Sequence, residues 1–475
     1  MLGGSTARLP AAVPNRRFMH ESPPPATLNL IGNTPLVQLT GFDTGVCELY
    51  LKLESQNPGG SIKDRMAVAM IEAAEQSGAL THGVTIVEAT AGNTGIGLAL
   101  VAAVKGYRLI LVIPDKMSPE KIAHARALGA DIQITRSDVA PGDPAYYQDM
   151  AARIARETPH AYHINQFGNP ANPLAHEITT GPEVWHQMDH RVDAIVCGVG
   201  SGGTMTGLSR FFARVQPECE IVLADPIGSS LAEYVRTGKQ VPSGSYAVEG
   251  IGGSCVPAIA DLSRVSCAYS ISDSESFLTA RDLLKRAGIF GGPSSGTLLA
   301  AALRYCREQT QSKRVVTFVC DTGAKYLSKM YNDYWMLDQG YLERAPSGTL
   351  RELITRRYEE GGVITVAPED TLLTAFQRMR MADISQVPVI DRGKCVGMLD
   401  ESDLLLAVHG DASRFHSPVR DAMTSRLETV PPEARMDSVY DILDRGLVAL
   451  VVNDDAFLGL ITRSDLLSHL RRKLH

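Results

Sequence analysis

The chain of 475 residues lacks the features of several protein classes. No apolar run approaches the ~20 residues that a membrane-spanning helix needs, so we expect no membrane segment. Lys and Arg number 46 against 53 Asp and Glu, which leaves no basic excess for nucleic acid or anionic membranes. The eight cysteines form no Cys-x-x-Cys pair, which argues against a zinc site or a disulfide framework and for a reducing compartment. We therefore expect a cytoplasmic protein without a metal.

The remaining composition is ordinary for a globular protein, with 44% hydrophobic and 21% charged residues. The length suggests roughly two to four domains. Residues 1–26 are rich in Pro, Ala and Ser, so we expect a disordered tail there.

Short apolar runs alternate with longer helical stretches from Leu28 to about Asp338. Val- and Ile-rich strands separated by helices are typical of an α/β fold with a covered parallel sheet, whose ligands bind in the loops that follow the strands. The predicted strands are Thr85–Glu88, Leu109–Ile113, Ile132–Ile134, Ala194–Cys197, Ile221–Ala224 and Val315–Cys320. Predicted helices include Ile96–Lys105, Pro119–Leu128 and Phe277–Ala287.

Lys63 lies where the turn Asn57-Pro-Gly-Gly60 runs into a stretch of helix formers, from Asp64 to Glu75. The exposed N–H groups and the positive end of a helix disfavour a second cation there, so an amine tends to lose its proton. A neutral amine can attack a carbonyl carbon. Lys63 is therefore a candidate catalytic residue, and an ordinary solvated surface lysine is the alternative.

Two turns rich in small polar residues are candidate ligand sites. The first, Glu88-Ala-Thr-Ala-Gly-Asn-Thr-Gly-Ile-Gly97, joins a predicted strand to a helix and is suited to an anion, here a carboxylate. The other, Gly291-Gly-Pro-Ser-Ser-Gly296, is also predicted between a strand and a helix and offers the hydroxyls of Ser294 and Ser295. Helix capping is the alternative for both turns.

A third glycine turn, Gly198-Val-Gly-Ser-Gly-Gly203, satisfies the pattern G-x-G-x-x-G, and Asp225 follows after a predicted strand. This pattern also marks dinucleotide sites. The turn lies deep in the chain, however, and is denser in Gly, Ser and Thr than a dinucleotide requires. Because Ser201-Gly-Gly-Thr204 is suited to one compact phosphate, we favour phosphate binding over a dinucleotide or a structural turn.

These loops, in this order, resemble those of the fold-type II pyridoxal-phosphate enzymes, and within them the cystathionine β-synthase family. The resemblance covers about Leu28 to Leu342 and implies a tryptophan synthase β-like domain with two parallel-sheet subdomains. Seven blocks carry it: Ile31-Gly-Asn-Thr-Pro35, Asn57-Pro-Gly-Gly-Ser-Ile-Lys-Asp-Arg65, Gly92-Asn-Thr-Gly-Ile-Gly97, Asn172-Pro-Leu-Ala-His176, Gly200-Ser-Gly-Gly-Thr204, Val248-Glu-Gly-Ile-Gly252 and Trp335-Met-Leu337.

The resemblance implies a role for each matching residue. Lys63 would bind pyridoxal 5'-phosphate covalently, Asn93 its ring hydroxyl and Ser294 its ring nitrogen. Its phosphate would be held by Gly200, Ser201, Gly202, Gly203 and Thr204. The substrate carboxylate would lie in the loop of Thr90, Ala91, Gly92 and Thr94, with Gln166. The second substrate's site would be covered by Gly250, Ile251 and Gly252.

The implied reaction is a β-replacement in which L-homocysteine displaces the hydroxyl of L-serine, giving L-cystathionine in transsulfuration and cysteine biosynthesis. Lys63 would remove the α-proton and is the nearest acid for the departing hydroxide. One residue departs from the family pattern. The carboxylate loop of the family usually reads Thr-Ser-Gly-Asn-Thr, and in this chain Ala91 replaces the serine. O-acetylserine with sulfide, as in cysteine synthase, and a replacement on cysteine that produces hydrogen sulfide are therefore alternatives.

Other classes are less consistent with these residues. An intact Lys63, phosphate loop and Ser294 argue against a non-catalytic adenosyl sensor. A nicotinamide enzyme is the least expected class. No haem is expected, because no cysteine precedes Cys47 to supply a thiolate ligand. The resemblance implies a homodimer or higher homo-oligomer.

After Leu342 a unit of about sixty residues occurs twice. Val387–Asp391 aligns with Ala449–Asn453, and Gly397–Leu405 with Gly459–Leu467, each at an offset of 62 residues. The two copies resemble a tandem pair of CBS domains, an α+β (Bateman) module that senses adenosyl compounds.

The second copy has the stronger ligand pattern. Asp465 would bond the ribose hydroxyls and Thr462 a phosphate or the ribose rim, whereas Asp400 replaces this threonine in the first copy. S-adenosylmethionine is the implied ligand, AMP and ATP are alternatives, and a purely structural pair is the remaining interpretation. The predicted organisation is a tail (1–26), a catalytic domain (27–344), a linker (345–349) and two CBS domains (350–411 and 412–475).

Overall fold

A computed structural model describes residues 27–90, 92–140, 142–345 and 347–472. The predicted tail, Ala91 of the carboxylate loop and Pro346 of the predicted linker lie outside these described residues. The chain forms two compact units, the first containing residues up to 272 and 282–322, the second residues 273–281 and those from 323 onward. None of the helices in the described ranges has the length and apolar character needed to cross a membrane.

The first unit alternates strands with helices. Its strands are β1 (Leu36–Gln38), β2 (Glu48–Lys52), β3 (Thr85–Ala89), β4 (Arg108–Pro114), β5 (Asp131–Thr135), β6 (Ala161–His163), β7 (Ala194–Cys197), β8 (Glu220–Pro226), β9 (Val265–Ile271) and β10 (Arg314–Phe318). Its helices are α1 (Lys63–Gln76), α2 (Asn93–Lys105), α3 (Pro119–Ala127), α4 (Tyr147–Glu157), α5 (Ala171–Ala175), a π-helical turn (His176–Thr180), α6 (Gly181–Gln187), α7 (Gly203–Val215), α8 (Leu231–Thr237) and α10 (Pro293–Arg307); α9 (Asp273–Ala287) belongs partly to each unit. Short 3-10 turns lie at Leu28–Leu30 and Glu54–Gln56.

The strands form a six-stranded sheet in the order β1-β2-β10-β7-β8-β9 and a four-stranded sheet in the order β5-β4-β3-β6. All recorded neighbours pair in parallel except β1 with β2. The predicted parallel α/β fold is confirmed, and each predicted strand matches an observed one to within two residues. One detail is wrong: the Gly291–Gly296 turn joins α9 to α10 and does not follow a strand.

Close packing of α1 against α2 fixes the position of Lys63, the first residue of α1. A Cβ at Gly97 of α2 would lie 3.1 Å from the carbonyl oxygen of Lys63 and 3.2 Å from the Cβ of Ala67. Glycine at this position therefore lets the two helices meet at the turn that carries the lysine. The contact places Lys63 beside the loop that begins α2.

The second unit contains two small sheets, β11-β12 and β13-β14-β15. Their strands are β11 (Gln386–Asp391), β12 (Lys394–Asp400), β13 (Thr429–Val430), β14 (Ala449–Asn453) and β15 (Ala456–Ile461). The helices are α11 (Asp333–Asp338), α12 (Leu372–Ala382), α13 (Glu401–Val408), α14 (Met436–Asp444) and α15 (Arg463–Arg472), with 3-10 turns at Gly323–Tyr326, Leu350–Glu352, Ala412–His416 and Val419–Asp421.

The repeat seen in the sequence is also present in the backbone. β15 begins 62 residues after β12, and α15 begins 62 residues after α13. Even the irregularity in strand register recurs, at Val389/Ile390 in the first copy and Val451/Val452 in the second. The two copies are therefore one α+β unit used twice.

Candidate active site

Lys63 provides an amine without a fixed partner. Its backbone N–H bonds Ser61 Oγ at 3.3 Å, and within the described part of the chain its side chain takes part in no hydrogen bond or ion pair. Burial lowers the pKa of Lys63, against the opposing influence of Cys320 and Asp321. The amine is therefore held closer to its neutral, nucleophilic form than an exposed lysine is.

The loop Gly200–Thr204 leads into α7 and is made of positions that no larger residue could fill. Gly202 has a φ of +93°, and a Cβ at Gly200 would lie 2.4 Å from the carbonyl oxygen of Gly250. A Cβ at Gly203 would lie 1.9 Å from Asn172 Oδ1, an oxygen that has no hydrogen-bond partner among the described residues. The loop thus exposes backbone N–H groups at the start of a long helix, beside the hydroxyls of Ser201 and Thr204.

The carboxylate loop, residues 90–94, contains a hydroxyl, that of Thr90, whose proton is available for a ligand. Thr90 Oγ1 accepts hydrogen bonds from the N–H groups of Gly92 (3.1 Å) and Gly95 (3.3 Å). Because its oxygen is occupied as an acceptor, the Thr90 O–H remains a donor for an anion. Asn93, the first residue of α2, donates from Nδ2 to Asp321 Oδ2 at 2.6 Å.

Gln166 lies beside this loop, but its amide is already engaged. Its Nε2 donates to Glu88 Oε1 (3.2 Å) and to the Ala89 carbonyl (2.9 Å), and its Oε1 accepts from Thr94 Oγ1 (2.7 Å). The predicted contact of Gln166 with a substrate carboxylate would require the amide to leave one of these partners. Burial raises the pKa of Glu88 to about 8, against the N–H groups of Gln166 that lower it.

Ser294 lies in the first turn of α10 and is buried. Its hydroxyl lies beside the thiol of Cys320, whose pKa both Lys63 and Ser294 act to lower against burial. Burial raises the pKa of Cys320 to about 12, so this thiol stays protonated. Ser294, Cys320 and Lys63 therefore form one neighbourhood, although residue spacing in the chain gave no sign of Cys320.

The Gly250–Gly252 turn packs directly on the phosphate loop. The Gly252 N–H donates to the Val199 carbonyl at 2.8 Å, and a Cβ at Gly198 would lie 2.7 Å from Ile251 Cγ2. The structure thus brings together two segments that are separated by about fifty residues in the sequence. The turn closes the glycine side of the site.

Lys121 and Glu249 form a buried ion pair at the same place. Lys121 Nζ lies 2.6 Å from Glu249 Oε2, and the side chains are 1% and 6% exposed. A Cβ at Gly92 would lie 2.5 Å from Lys121 Cδ, so the lysine covers the carboxylate loop. Glu249 immediately precedes the Gly250–Gly252 turn, and the pair therefore connects the two loops. Nothing in the sequence marked Lys121.

A buried ionic network supports the segment that carries Lys63. Arg65 donates to both oxygens of Glu54 and both of Glu183, and Lys52 Nζ donates to Glu183 Oε2 at 2.8 Å. Burial alone would raise the pKa of Glu183, but hydrogen bonds from Arg65 and Lys52 outweigh it and lower the pKa to about 2. The network fixes the start of α1 against β2 and α6.

The second unit carries the predicted adenosyl site. Asp465 Oδ2 accepts hydrogen bonds from Thr462 N (2.8 Å) and Thr462 Oγ1 (2.5 Å), which leaves Oδ1 for another donor. In the first copy Asp400 Oδ1 accepts from Asp403 N (2.8 Å), and Asp403 Oδ2 accepts from Asp400 N (3.2 Å). The two copies therefore share one geometry with different charge.

Comparison with known proteins follows the same division. A family model described as pyridoxal-phosphate dependent enzyme matches residues 27–321, and one described as CBS domain matches residues 350–410 and 419–472. Cystathionine beta-synthase of Oryctolagus cuniculus is 36% identical over 443 residues, which are 92% of this chain and 80% of that protein. The chain belongs to the cystathionine β-synthase family.

Two further proteins are similar to this chain over a shorter length. Cysteine synthase A of Escherichia coli (strain K12) is 40% identical over 302 residues, 63% of this chain and 92% of that protein. The crystal structure of a hydrogen sulfide-producing enzyme from Fusobacterium nucleatum, at 36% identity and a TM-score of 0.60, covers 63% of this chain and 99% of its own. The protein is therefore a pyridoxal-phosphate dependent enzyme that catalyses β-replacement, and the predicted family, cofactor and CBS domains are confirmed.

The residues present fit pyridoxal phosphate. The glycine cradle of Gly200, Gly202 and Gly203 leaves room that a Cβ would fill, and two hydroxyls flank it. An amine of lowered pKa, Lys63, and a neutral hydroxyl, Ser294, share the Cys320 neighbourhood. This set offers a covalent attachment, an anion cradle and a neutral partner for a ring nitrogen, and the individual roles stay predictions.

Proposed function

We propose that the enzyme joins L-serine and L-homocysteine to give L-cystathionine and water. The observation that carries this choice is the buried Lys121–Glu249 ion pair, at 2.6 Å between the carboxylate loop and the Gly250–Gly252 turn. Similarity over 92% of the chain to a cystathionine beta-synthase, against 63% for a cysteine synthase, supports the same choice.

The ion pair matters because it discriminates between classes of second substrate. Homocysteine is a zwitterion, so its carboxylate can replace Glu249 as the partner of Lys121 and its ammonium can replace Lys121 as the partner of Glu249. Sulfide has no such groups and would gain nothing from two buried charges, whose removal from water is costly. A buried pair of opposite charges beside the first substrate's loop therefore favours an amino-acid thiol.

In this reaction, Thr90 and the start of α2 bind the substrate and Lys63 transfers the protons. Bound pyridoxal phosphate supplies an electron sink for the carbanion at the α-carbon of serine. The Thr90 O–H and the N–H groups at the start of α2 orient the carboxylate. Lys63 Nζ takes the α-proton and delivers it to the β-hydroxyl, which leaves as water. The thiol sulfur forms the new bond to the β-carbon, and the thiol proton ends on the α-carbon by way of Lys63.

Glu249→Gln and Lys121→Met test the choice of second substrate. Each should lower kcat/KM for L-homocysteine by about tenfold to a hundredfold, because one charge of the zwitterion loses its partner. The rate with sulfide as the thiol should change by less than about threefold. Glu157→Gln, at an exposed ion pair with Arg153, is the matched control and should change neither rate.

Equal losses with sulfide and with homocysteine would remove the argument from the ion pair. Cysteine synthase chemistry is the second candidate, favoured by the 40% identity to the E. coli enzyme and by alanine at position 91. It predicts a kcat/KM for O-acetyl-L-serine with sulfide that exceeds the value for L-serine with L-homocysteine. The remaining alternative, a replacement on cysteine that produces hydrogen sulfide, predicts release of sulfide from L-cysteine.

We further propose that the second CBS copy binds an adenosyl compound through Asp465 Oδ1 and Thr462. Asp465→Asn should weaken S-adenosylmethionine binding by about tenfold in calorimetry, since one ribose contact loses its charge. Asp403→Asn at the equivalent position of the first copy is the control and should have no effect. If AMP or ATP binds more tightly than S-adenosylmethionine, that nucleotide is the ligand of the second CBS copy. If none of the three binds, the CBS pair has a structural role only. The proposed homodimer or larger oligomer is tested by mass measurement of the intact protein.

A further inference from the structure

The short segment formed by α5 and the π-helical turn, residues 171–180, lies behind the phosphate loop. A Cβ at Gly207 of α7 would lie 2.4 Å from the Pro173 carbonyl oxygen and 2.7 Å from His176 Cβ. Glycine at position 207 therefore lets α7 approach the segment closely. π-helical turns are rare in proteins, and those that occur often lie at functional sites.

His176 of this segment touches a hydroxyl of the phosphate loop. It is fully buried, with Nδ1 2.9 Å from Thr180 Oγ1 and Nε2 3.2 Å from Thr204 Oγ1. Burial lowers the pKa of His176 well below its ordinary value, and the cation of Arg65 acts in the same direction, against Glu183. The imidazole is therefore neutral and carries one N–H and one acceptor nitrogen.

The chemistry of a phosphate decides which nitrogen carries the proton. A phosphate dianion only accepts hydrogen bonds, so the Thr204 hydroxyl must donate its proton to it. The Thr204 oxygen is then free to accept, and His176 Nε2 must be the N–H. Nδ1 in turn accepts from the Thr180 O–H. The opposite tautomer would turn the Thr204 proton toward the imidazole and away from the phosphate.

Asn172 of the same segment makes the equivalent contact with the other hydroxyl. Its Nδ2 lies 2.8 Å from the Gln166 carbonyl and 3.0 Å from Ser201 Oγ. A carbonyl oxygen only accepts, which fixes this amide atom as the nitrogen. Ser201 therefore also receives an N–H bond at its oxygen and keeps its own proton for the phosphate.

We propose that residues 171–180 position the phosphate loop by donating N–H bonds, from Asn172 Nδ2 and His176 Nε2, that commit both loop hydroxyls to act as donors to the cofactor phosphate. The inference rests on the proposed role of Ser201 and Thr204 in cofactor binding. It concerns cofactor affinity alone, so it stands or fails independently of which amino acids are the substrates.

Two substitutions of His176 separate its two contacts. The amide nitrogen of His176→Gln can reach the place of Nε2 and keep the bond to Thr204. The shorter His176→Asn can keep an acceptor near Thr180 but leaves Thr204 without a donor. In titrations of the apoenzyme with pyridoxal phosphate, His176→Asn should raise Kd about tenfold and His176→Gln less than about threefold.

A double-mutant cycle distinguishes positioning from general packing. In a Thr204→Val background the hydroxyl is absent, so His176→Asn should raise Kd no further. Additive effects of the two substitutions, or equal effects of His176→Asn and His176→Gln, would overturn the proposal.

The tautomer gives a readout in the wild-type protein itself. In wild-type holoenzyme labelled with ¹⁵N-histidine, His176 should show a protonated Nε2 and an unprotonated Nδ1. Its signal is the one lost in His176→Gln. An Nδ1–H tautomer in the holoenzyme would contradict the proposal directly.

Discussion

Replacing Glu183 with glutamine should destabilise the first unit by about 3 kcal/mol at neutral pH. Ion pairs with Arg65 and Lys52 lower the pKa of Glu183 from its ordinary 4.5 to about 2, and its side chain is only 19% exposed. That difference in pKa corresponds to about 3 kcal/mol. Because the folded-state pKa is lowered, the contribution is complete above pH 4.5 and is lost as the pH falls toward 2.

Urea unfolding followed by tryptophan fluorescence can isolate the first unit. The chain has two tryptophans, and Trp185 lies in α6, two residues from Glu183. Trp335 belongs to the second unit and packs on Phe277 and Tyr341, so Trp335→Phe removes the other signal. In that background the free energies of unfolding with Glu183 intact and with Glu183→Gln are compared from pH 7 to pH 3.

The control is Asp138→Asn, which breaks an exposed pair with Arg136 in the same unit and should leave the free energy of unfolding unchanged. The Glu183→Gln difference should shrink steadily below pH 4.5, because a protonated Glu183 is as neutral as glutamine. A difference that does not vary with pH, or one below about 1 kcal/mol at pH 7, would refute the ionic account of the network.

Two further predictions concern the site itself. Gly203→Ala would place a Cβ 1.9 Å from Asn172 Oδ1 and should displace the phosphate loop. The variant should therefore elute from gel filtration without its cofactor. The control Gly244→Ala, whose Cβ would approach no atom closer than 3.5 Å among the described residues, should retain the cofactor. Burial raises the pKa of Glu88 to about 8, so ionisation in the unfolded chain should cost the wild type stability, relative to Glu88→Gln, as the pH rises from about 5 to 8. Thermal unfolding across this range checks the second prediction, and a stability advantage of Glu88→Gln over the wild type that stays constant or falls with rising pH would contradict it.

Local patterns identified the loops because their signals are short. The turn before Lys63 and the glycines of Gly198–Gly203 need only neighbouring residues to be recognised. Val- and Ile-rich runs located β3, β4, β5, β7, β8 and β10 for the same reason. β6 was missed because it has only three residues, and β9 because its Ser, Cys and Tyr residues form no continuous apolar run.

Contacts between distant parts of the chain could not be read from any window of residues. Asn93 meets Asp321 across 228 positions, and Lys121 meets Glu249 across 128. The blocks containing His176 and Glu249 supported the family resemblance, yet their roles required the structure, since neither has a local motif. Burial, which sets the charge state of His176, is also a property of the folded chain.

The most direct test of the proposed reaction is the visible spectrum of the purified enzyme with its cofactor. Addition of L-serine should shift the absorbance band of the bound cofactor, and L-homocysteine should restore it with formation of L-cystathionine. Lys63→Ala, measured in parallel, should lack this response. A band that ignores L-serine but shifts with O-acetyl-L-serine, and returns on addition of sulfide, would contradict the proposal and assign the enzyme to cysteine synthesis.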